Sequence, residues 1–244
     1  MNLAYTIGIL RSRLIYDFKP FIKKRMQLFY SGFIKEGDLC FDLGAHTGNR
    51  SQVWLKMGAR VVAAEPQPIF ARLITKKLGH FRNFKLLQQA VGNEPGNAVL
   101  RISNLYPAIS TLSESWIRVM KDFDPSVKFE ESVEVTVTTL DLLIKEYGIP
   151  RFCKIDVEGF EERVLQGLSN SLPALSFEFF PTTLHRAITC IDRLEKLGSY
   201  RYNWSLTESF RMRHNSFMSP HEMKQLILNY RGRRSGDIYA VIHN

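Results

Sequence analysis

Short apolar runs alternate with longer amphipathic segments along most of the chain. A strand that is buried on both faces reads as continuous apolar sequence, whereas apolar positions spaced three and four residues apart predict helices. The order of these segments predicts an α/β fold with a doubly wound, mostly parallel sheet and helices on both faces. Predicted strands cover residues 39–42, 60–64, 84–91, 97–102, 133–139, 152–156, 174–180, 200–204 and 237–242, and predicted helices cover 49–57, 68–78, 140–147, 160–168 and 183–197, with another beginning at Pro220.

The first strand leads into a glycine-containing turn. Asp42 ends the strand, and Gly44 and Gly48 allow the backbone to turn tightly and to approach a ligand that a side chain would exclude. The second strand ends at Glu65, 17 residues after Gly48. An acidic side chain at this place accepts hydrogen bonds from ribose hydroxyls in nucleotide-binding folds. The spacing therefore predicts a cofactor that contains adenosine.

His46 helps to choose between adenosine cofactors. A dinucleotide fingerprint has glycine where this chain has His46, and no phosphate-binding Gly-Lys-Ser/Thr motif follows. S-adenosylmethionine has no pyrophosphate, so it suits this turn better than NAD does. His46 is also a candidate base, with the alternative interpretation that it shapes the turn.

Length and hydropathy suit one large nucleotide-binding domain. The 244 residues are 45% hydrophobic, which allows a full core, and they contain no run of 18 apolar residues that would predict a membrane span. Residues 3–35 are predicted to be helical with an interruption at Pro20. We therefore expect a basic helical segment over residues 1–36 and the nucleotide-binding domain over residues 37–244.

The three cysteines bear on the compartment. Cys40, Cys153 and Cys190 lie within apolar patterns and have no metal-ligand spacing. We expect buried thiols, and with them a reducing cytoplasmic location.

Positive charge is concentrated at the two ends of the chain. The net charge is +9, yet residues 37–198 hold 19 basic and 19 acidic side chains. Basic ends predict contact with an anionic membrane or an acidic acceptor, with a merely solvated helix face as the alternative. A nucleic-acid substrate is disfavoured, because the basic residues avoid the centre of the chain and no Asn/Asp-Pro-Pro-Tyr/Phe signature is present. A small molecule or glycan is the expected acceptor, and the sequence leaves the oligomeric state open.

Charged residues interrupt two of the predicted central strands. Lys154 and Glu178 lie inside apolar runs, and because buried charge is costly unless paired, we expect them to face a site or to pair with each other. Asp156 and Glu178 should project from adjacent strands, where repulsion would raise one pKa and provide a base, for which Asp156 is the choice. A divalent metal held by these carboxylates is the weaker alternative, and a purely structural trio with Lys154 is the other.

Three further predictions concern local structure. Asp141 is expected to cap the helix that follows it. Glu161 and Glu162 should lie in a first helical turn, where the helix dipole favours acids. Residues 104–131 are polar with scattered aromatic residues, which predicts an irregular insertion that serves as a lid or substrate wall.

Several separated motifs resemble those of the FkbM-type methyltransferases, in the order in which that family has them. The resemblance extends from about Phe29 onward. The motifs are Phe41-Asp42-Leu43-Gly44-Ala45-His46-Thr47-Gly48, Ala64-Glu65-Pro66, Thr138-Thr139-Leu140-Asp141, Lys154-Ile155-Asp156-Val157-Glu158-Gly159-Phe160-Glu161, Ser176-Phe177-Glu178-Phe179 and Gly236-Asp237-Ile238-Tyr239-Ala240.

The resemblance implies a class I, Rossmann-like enzyme that uses S-adenosylmethionine and usually methylates a hydroxyl oxygen. Family acceptors include sugars, glycans and polyketide hydroxyls. If the family's site residues are transferred to the matching positions of this sequence, Asp42, Gly44 and Gly48 would line the methionine end of the cofactor, beside His46. Glu65 would hold the ribose.

We therefore predict an O-methyltransferase in which Asp156, Glu178 and Lys154 are the catalytic candidates. An NAD-dependent oxidoreductase is the alternative enzyme, disfavoured by His46. A non-catalytic protein of the same fold that binds an anionic surface is the alternative from another class.

Overall fold

The computed structural model of the protein describes residues 7–8 and 20–243. The helix predicted over residues 3–35 lies partly outside the described residues. Beyond residues 7–8, its described part contains helix α1 (Pro20–Tyr30), which begins at a proline, as first helical turns often do. The helix ends at Tyr30, so the predicted extent to residue 35 is wrong.

The elements that follow α1 match the predicted order of strands and helices, apart from two differences described below. They are β1 (Leu39–Leu43), α2 (Asn49–Lys56), β2 (Arg60–Ala64), α3 (Pro68–Leu78), β3 (Phe84–Leu87), β4 (Ala90–Gly92), β5 (Gly96–Ile102), α4 (Glu114–Phe123), β6 (Glu131–Thr139), α5 (Leu140–Tyr147), β7 (Phe152–Ile155), α6 (Glu161–Gln166), β8 (Ala174–Phe179), α7 (Leu184–Glu195), β9 (Tyr200–Leu206), α8 (Pro220–Leu228) and β10 (Gly236–Ile242). Short 3₁₀ helices lie at Pro107–Ile109, Pro181–Thr183 and Thr207–Ser209.

The main sheet has the strand order β3-β2-β1-β7-β8-β10-β9 within the described residues. Strands β3, β2, β1, β7 and β8 run parallel, and β10 is antiparallel to both of its neighbours. The chain builds outward from β1 to β3 and then returns to place β7 on the other side of β1. The predicted doubly wound sheet is confirmed, and its switch point lies between β1 and β7.

Two apolar layers cover this sheet. Buried residues of α1, α2 and α3 pack on one face, and those of α5, α6, α7 and α8 pack on the other. In α1, Tyr30 contacts Trp54 and Phe152 edge to face, with ring centroids 5.2 and 5.6 Å apart. Lys24 and Arg25 remain exposed. The described part of the basic N-terminal segment therefore buries its apolar side against the domain.

The strand predicted over residues 84–91 is wrong in its extent, because the chain changes sheets within it. Leu87 pairs with Ala64 in the main sheet, whereas Ala90 pairs with Val137 in a second sheet of order β4-β6-β5. The break falls at Gln88 and Gln89, a polar pair between two mainly apolar runs that was the local signal for it.

The insertion over residues 104–131 is more regular than predicted. It contains α4, whose N-cap Ser113 accepts a hydrogen bond from the Trp116 backbone N–H. Trp116, Ile117 and Met120 are buried on one side of this helix. Their spacing and the serine cap were the signals for a helix.

Asp141 does not cap α5. The side chain of Thr139 accepts from the Leu142 N–H and provides that cap. Asp141 instead accepts from the Ser169 N–H and hydroxyl at 2.9 and 2.5 Å. Threonine and aspartate are both good caps, and the backbone conformation at residue 139 decided between them.

Two remaining observations concern the cysteines and the hydropathy of the helices. Cys40, Cys153 and Cys190 are buried free thiols, as expected. None of the helices in the described part of the chain is long and apolar enough to cross a membrane.

Candidate active site

The turn after β1 brings the backbone of two loops into contact. Gly44 has a φ of +78°, and a Cβ at this position would overlap the carbonyl oxygen of Asp156. The Asp156 N–H donates to the Leu43 carbonyl at 2.9 Å. Any side chain at position 44 would push apart the loops that follow β1 and β7, so glycine is required here.

Asp42 and Gly48 do not line the cleft, contrary to the expectation that they would hold the methionine end of a cofactor. Asp42 is buried and accepts hydrogen bonds from the Ser51 N–H and hydroxyl at 3.1 and 2.5 Å. A Cβ on Gly48 would meet the side chains of Leu78 and Ile74. Both residues therefore stabilise the junction of β1 with α2 and α3 and support the turn from behind.

Glu65 lies at the end of β2 with 3% of its surface exposed. Its two carboxylate oxygens accept the backbone N–H groups of His46, at 2.7 Å, and Gln67, at 2.9 Å. Burial raises the pKa of Glu65 to about 7, although the two N–H groups favour the charged form. Each carboxylate oxygen has a further lone pair, so the group retains capacity for ligand hydroxyls.

A cleft lies over the carboxyl ends of β1, β2 and β7, and it has two compartments. The nucleoside compartment, with an empty volume of about 540 Å³, is lined at one end by Glu65 and Gln67 and elsewhere by mainly apolar side chains. The acceptor compartment, of about 930 Å³, is lined by polar and charged groups. Gly44, His46, Ala108, Asp156 and Glu158 line both.

The nucleoside compartment fits an adenosine-containing cofactor. The Gln67 side-chain N–H₂ donates to the Pro107 carbonyl at 2.9 Å, but its buried oxygen has no hydrogen-bond partner among the described residues. A buried acceptor without a partner is costly unless a ligand donates to it. With Glu65 beside it and apolar walls that include Val91 and Leu100, the compartment suits a nucleoside without phosphate groups.

Lys154 is fully buried and pairs with two aspartates. Of the alternatives that the sequence left open, a pair with Glu178 is not formed. The Lys154 Nζ lies 2.7 Å from Asp237 Oδ1 and 3.2 Å from Asp156 Oδ2. Arg50 approaches the same Asp156 oxygen at 3.7 Å. Burial alone would raise the pKa of Asp156, but Lys154 and Arg50 outweigh it and hold that pKa below its usual value. Asp156 is therefore a poor proton acceptor at neutral pH.

Three carboxylates converge at the junction of the compartments. Oxygen atoms of Asp156, Glu158 and Glu178 lie within 4.8 Å of one another, close enough to share a cation. Burial raises the pKa of Glu178, and the negative charge of Asp156 raises it further. Burial and the charge of Glu178 raise the pKa of Glu158 in the same way. The trio thus contains one strongly ionised carboxylate and two that hold protons more tightly than usual.

Unfavourable backbone conformations occur at the cleft. Among the described residues, four non-glycine residues have φ between +46° and +52°, namely His46, Glu158, Thr207 and Phe210, and the first three line the acceptor compartment. Such conformations cost about 1–3 kcal/mol each and persist where surrounding structure enforces them. For Glu158, the Thr111 hydroxyl donates to its carbonyl at 2.7 Å.

The insertion forms part of the cleft wall, mainly on the side of the nucleoside compartment. Ala108 lines both compartments, and Ser110, Thr111 and Leu112 line the nucleoside compartment. Arg186 anchors the insertion, since its guanidinium donates to the Gly159 carbonyl at 2.8 Å and to the Ser115 hydroxyl at 2.6 Å.

Sequence reasoning missed several residues of the acceptor compartment. Asp237 belonged to a quoted motif but received no role. Glu158 likewise belonged to a quoted motif without a role. Arg50 and Glu208, whose side chains lie 3.5 Å apart, carried no local signal, because only the fold brings the end of β9 next to the start of α2.

Comparison with known proteins adds a family and two distant structures. A model of the Methyltransferase FkbM domain matches residues 42–230. A precorrin-6Y C5,15-methyltransferase from Geobacter metallireducens is 13% identical, with 93% of this chain and 90% of that chain covered and a TM-score of 0.49. A TehB-like SAM-dependent methyltransferase from Corynebacterium glutamicum is 10% identical, with coverages of 96% and 94% and a TM-score of 0.48.

One curated relative matches a short segment. The chloroplastic ribosomal RNA small subunit methyltransferase of Arabidopsis thaliana is 33% identical over 63 residues. The match covers 26% of this chain and 18% of the length of that protein. The ribosomal substrate in its name is therefore a property of that protein alone.

Proposed function

This chain belongs to the FkbM methyltransferase family and is an S-adenosylmethionine-dependent methyltransferase, and we propose that it methylates a hydroxyl oxygen of a sugar, a glycan or another small or lipid-linked acceptor. The observation that carries the proposal is the junction of the two compartments at Asp156, Glu158 and Glu178. A hydroxyl has to lose its proton when it is methylated, and carboxylates with raised pKa values at this junction can take it.

The nucleoside compartment would hold the cofactor through residues already described. Glu65 would accept the ribose hydroxyls, Gln67 would accept a donor of the nucleoside through its unpartnered oxygen, and Gly44 would keep the loops after β1 and β7 in contact. When bound, S-adenosylmethionine supplies an electrophilic methyl group on its sulfonium. The chain's task is then to hold the acceptor oxygen in line and in contact with that methyl group.

Glu178 replaces Asp156 as the proposed proton acceptor. Asp156 is held ionised by Lys154 and Arg50, and it is more useful as a fixed negative charge that orients the acceptor hydroxyl. The side chain of Glu178 lines the acceptor compartment and makes no hydrogen bond or ion pair with another described residue. Its raised pKa makes its ionised form a stronger base.

Lys154 is proposed as a positioning residue. It is fully buried behind the cleft wall and does not line the acceptor compartment, but it fixes Asp156 and Asp237, which do. Its pKa stays high because those two aspartates outweigh the effect of burial. It therefore stays charged across the range in which enzymes are assayed.

Turnover with labelled S-adenosylmethionine and a panel of sugars, glycans and polyketide alcohols tests the proposal. In Glu178→Gln we expect unchanged cofactor affinity and turnover lowered by about 10²-fold or more, because the proton acceptor is lost while the shape is kept. Glu65→Ala should weaken cofactor binding by about 10- to 150-fold, corresponding to a lost charge-assisted hydrogen bond.

O-methylation would be contradicted if the wild-type enzyme methylated a nitrogen or carbon acceptor and no hydroxyl acceptor in the panel. Binding of NAD in place of S-adenosylmethionine in a calorimetric titration would contradict the cofactor assignment.

A further inference from the structure

Charge is segregated along the cleft and its surroundings. The acceptor compartment is lined by five carboxylate residues and a single guanidinium, that of Arg50, among the described residues; the carboxylates are Asp156, Glu158, Glu178, Glu208 and Asp237. A phosphate group would be repelled from this interior. The part of the acceptor that reaches the methyl group is therefore not anionic.

Outside this interior, two loops carry exposed arginines. The loop after β9 holds Arg211 and Arg213, and the loop before β10 holds Arg231, Arg233 and Arg234. We call these five residues the arginine rim. None of their guanidinium groups lies within 4.0 Å of a carboxylate in residues 7–8 and 20–243. Five cations without an ion-pair partner leave a strongly positive surface.

The two loops are neighbours because their flanking strands pair. In the antiparallel β9–β10 pair, Leu206 lies opposite Gly236, and the Thr207 N–H donates to the Ser235 carbonyl at 2.9 Å. Thr207, Ser235 and Gly236 line the acceptor compartment. Arg233 and Arg234 directly precede Ser235, and Arg211 follows Thr207 by four positions, so the chain carries these arginines next to the lining of that compartment. Arg213 lies beside β9, where its backbone N–H donates to the Trp204 carbonyl at 2.9 Å.

Both loops are held by aromatic packing. The guanidinium of Arg213 lies over the Trp204 ring, 5.7 Å from its centroid, and the Tyr230 ring meets the same Trp204 at 5.6 Å. The Tyr230 hydroxyl donates to the Arg234 carbonyl at 2.9 Å, closing the second loop around that ring. The arginines therefore project from supported loops.

We propose that the arginine rim binds a phosphate or pyrophosphate group of the acceptor while the hydroxyl to be methylated enters the acidic interior. Guanidinium groups bind phosphate through paired, charge-assisted hydrogen bonds, and arginine is favoured over lysine where such recognition is needed. The acceptor class is thus a phosphorylated or pyrophosphate-linked hydroxyl compound, either soluble or attached to a lipid. This inference rests on the proposed function.

Inorganic pyrophosphate is the probe for the test. Its affinity is measured by calorimetry at low salt for the wild type, for Arg233→Gln with Arg234→Gln, and for the matched control Arg82→Gln with Lys85→Gln. The control pair is exposed at β3, the opposite edge of the sheet, and removes the same charge. We expect the rim variant to bind at least about tenfold more weakly and the control to match the wild type.

Two further arms separate the sources of the phosphate. A lipid-linked acceptor is supported if the wild type sediments with phosphatidylglycerol vesicles but not with phosphatidylcholine vesicles, and if the rim variant loses this sedimentation. Binding of pyrophosphate without vesicle binding supports a soluble one.

Three outcomes overturn the inference. The first is equal pyrophosphate affinity in the wild type and the rim variant. The second is an equal loss of pyrophosphate affinity in the rim variant and the control variant. The third is tighter binding of single-stranded RNA than of pyrophosphate, with a much steeper salt dependence. Pyrophosphate binding needs no turnover, so its failure is distinguishable from failure of the proposed O-methylation. Equal melting temperatures of the three proteins ensure that folding does not explain the result.

Discussion

Lys154 and Asp237 form a buried ion pair, 2.7 Å from Nζ to Oδ1, across an intervening strand. They are 83 residues apart in the sequence. Lys154 lies opposite Ser176 in the β7–β8 pair, and Asp237 lies opposite Glu178 in the β8–β10 pair, so all four side chains share one face of the sheet. The pair joins the parallel part of the sheet to its antiparallel edge directly beneath the cleft.

Breaking this ion pair should destabilise the protein strongly. Removing one partner leaves the other charge buried without compensation, so Lys154→Met and Asp237→Asn should each lower the free energy of unfolding by about 3–5 kcal/mol. The double variant should lose less than the sum of the two. Urea denaturation of the four proteins measures this coupling, and simple additivity would show that the contact contributes little.

Replacing Gly44 should weaken cofactor binding, whereas replacing Gly48 should not. In Gly44→Ala the new Cβ meets the Asp156 backbone, which has to move, so we expect at least about tenfold weaker S-adenosylmethionine binding. In Gly48→Ala the Cβ meets flexible side-chain ends, and the cost should be about 1–2 kcal/mol of stability with affinity retained. Calorimetry measures the S-adenosylmethionine affinity of both variants, and melting curves measure their stability. Similar affinities in Gly44→Ala and Gly48→Ala would show that Gly44 has no special role in cofactor binding.

Stability without cofactor should fall as the pH rises from about 4.5 to 7, because Glu65 has a raised pKa in the folded state. Below this window the carboxyl is protonated in the folded and unfolded states alike. As the pH rises through it, the unfolded chain ionises first, and on the order of 3 kcal/mol of stability is lost. Urea denaturation at pH 5 and pH 7.5 should show a smaller difference in Glu65→Gln. An identical difference in the variant would contradict the assignment.

The acid limb of the pH–rate profile should move to lower pH in Asp156→Asn. The negative charge of Asp156 raises the pKa of Glu178, so its removal lowers that pKa and lets Glu178 ionise at lower pH. The exposed residue Glu94 provides the control, and Glu94→Gln should leave the profile unchanged. An unshifted acid limb in Asp156→Asn would show that another group accepts the proton.

Turnover should survive treatment with EDTA. A carboxylate that accepts the proton directly needs no metal, even though the oxygens of Asp156, Glu158 and Glu178 approach within 4.8 Å of one another. The measurement compares chelated enzyme with enzyme supplied with Mg²⁺. Activity that is lost on chelation and restored by Mg²⁺ would reassign the trio as metal ligands.

The sequence by itself determined the α/β class, the order of most elements, the glycine turn and the acidic residue at the end of β2. These features have local causes. Apolar periodicity marks the elements, a tight βα turn needs glycine at position 44, and Glu65 follows from the length of one turn, helix and strand. The family follows from the same motifs, and the match over residues 42–230 confirms it.

The tertiary structure alone decided which charges meet. From the sequence, Asp156 and Glu178 were equally plausible ion-pair partners for Lys154. In the structure, β10 runs antiparallel beside β8 and brings Asp237 into contact with Lys154. That contact, together with Arg50, left Asp156 ionised and moved the proposed base to Glu178. A pKa depends on the distance to every neighbouring charge and on burial, and both are set by residues far apart in the chain.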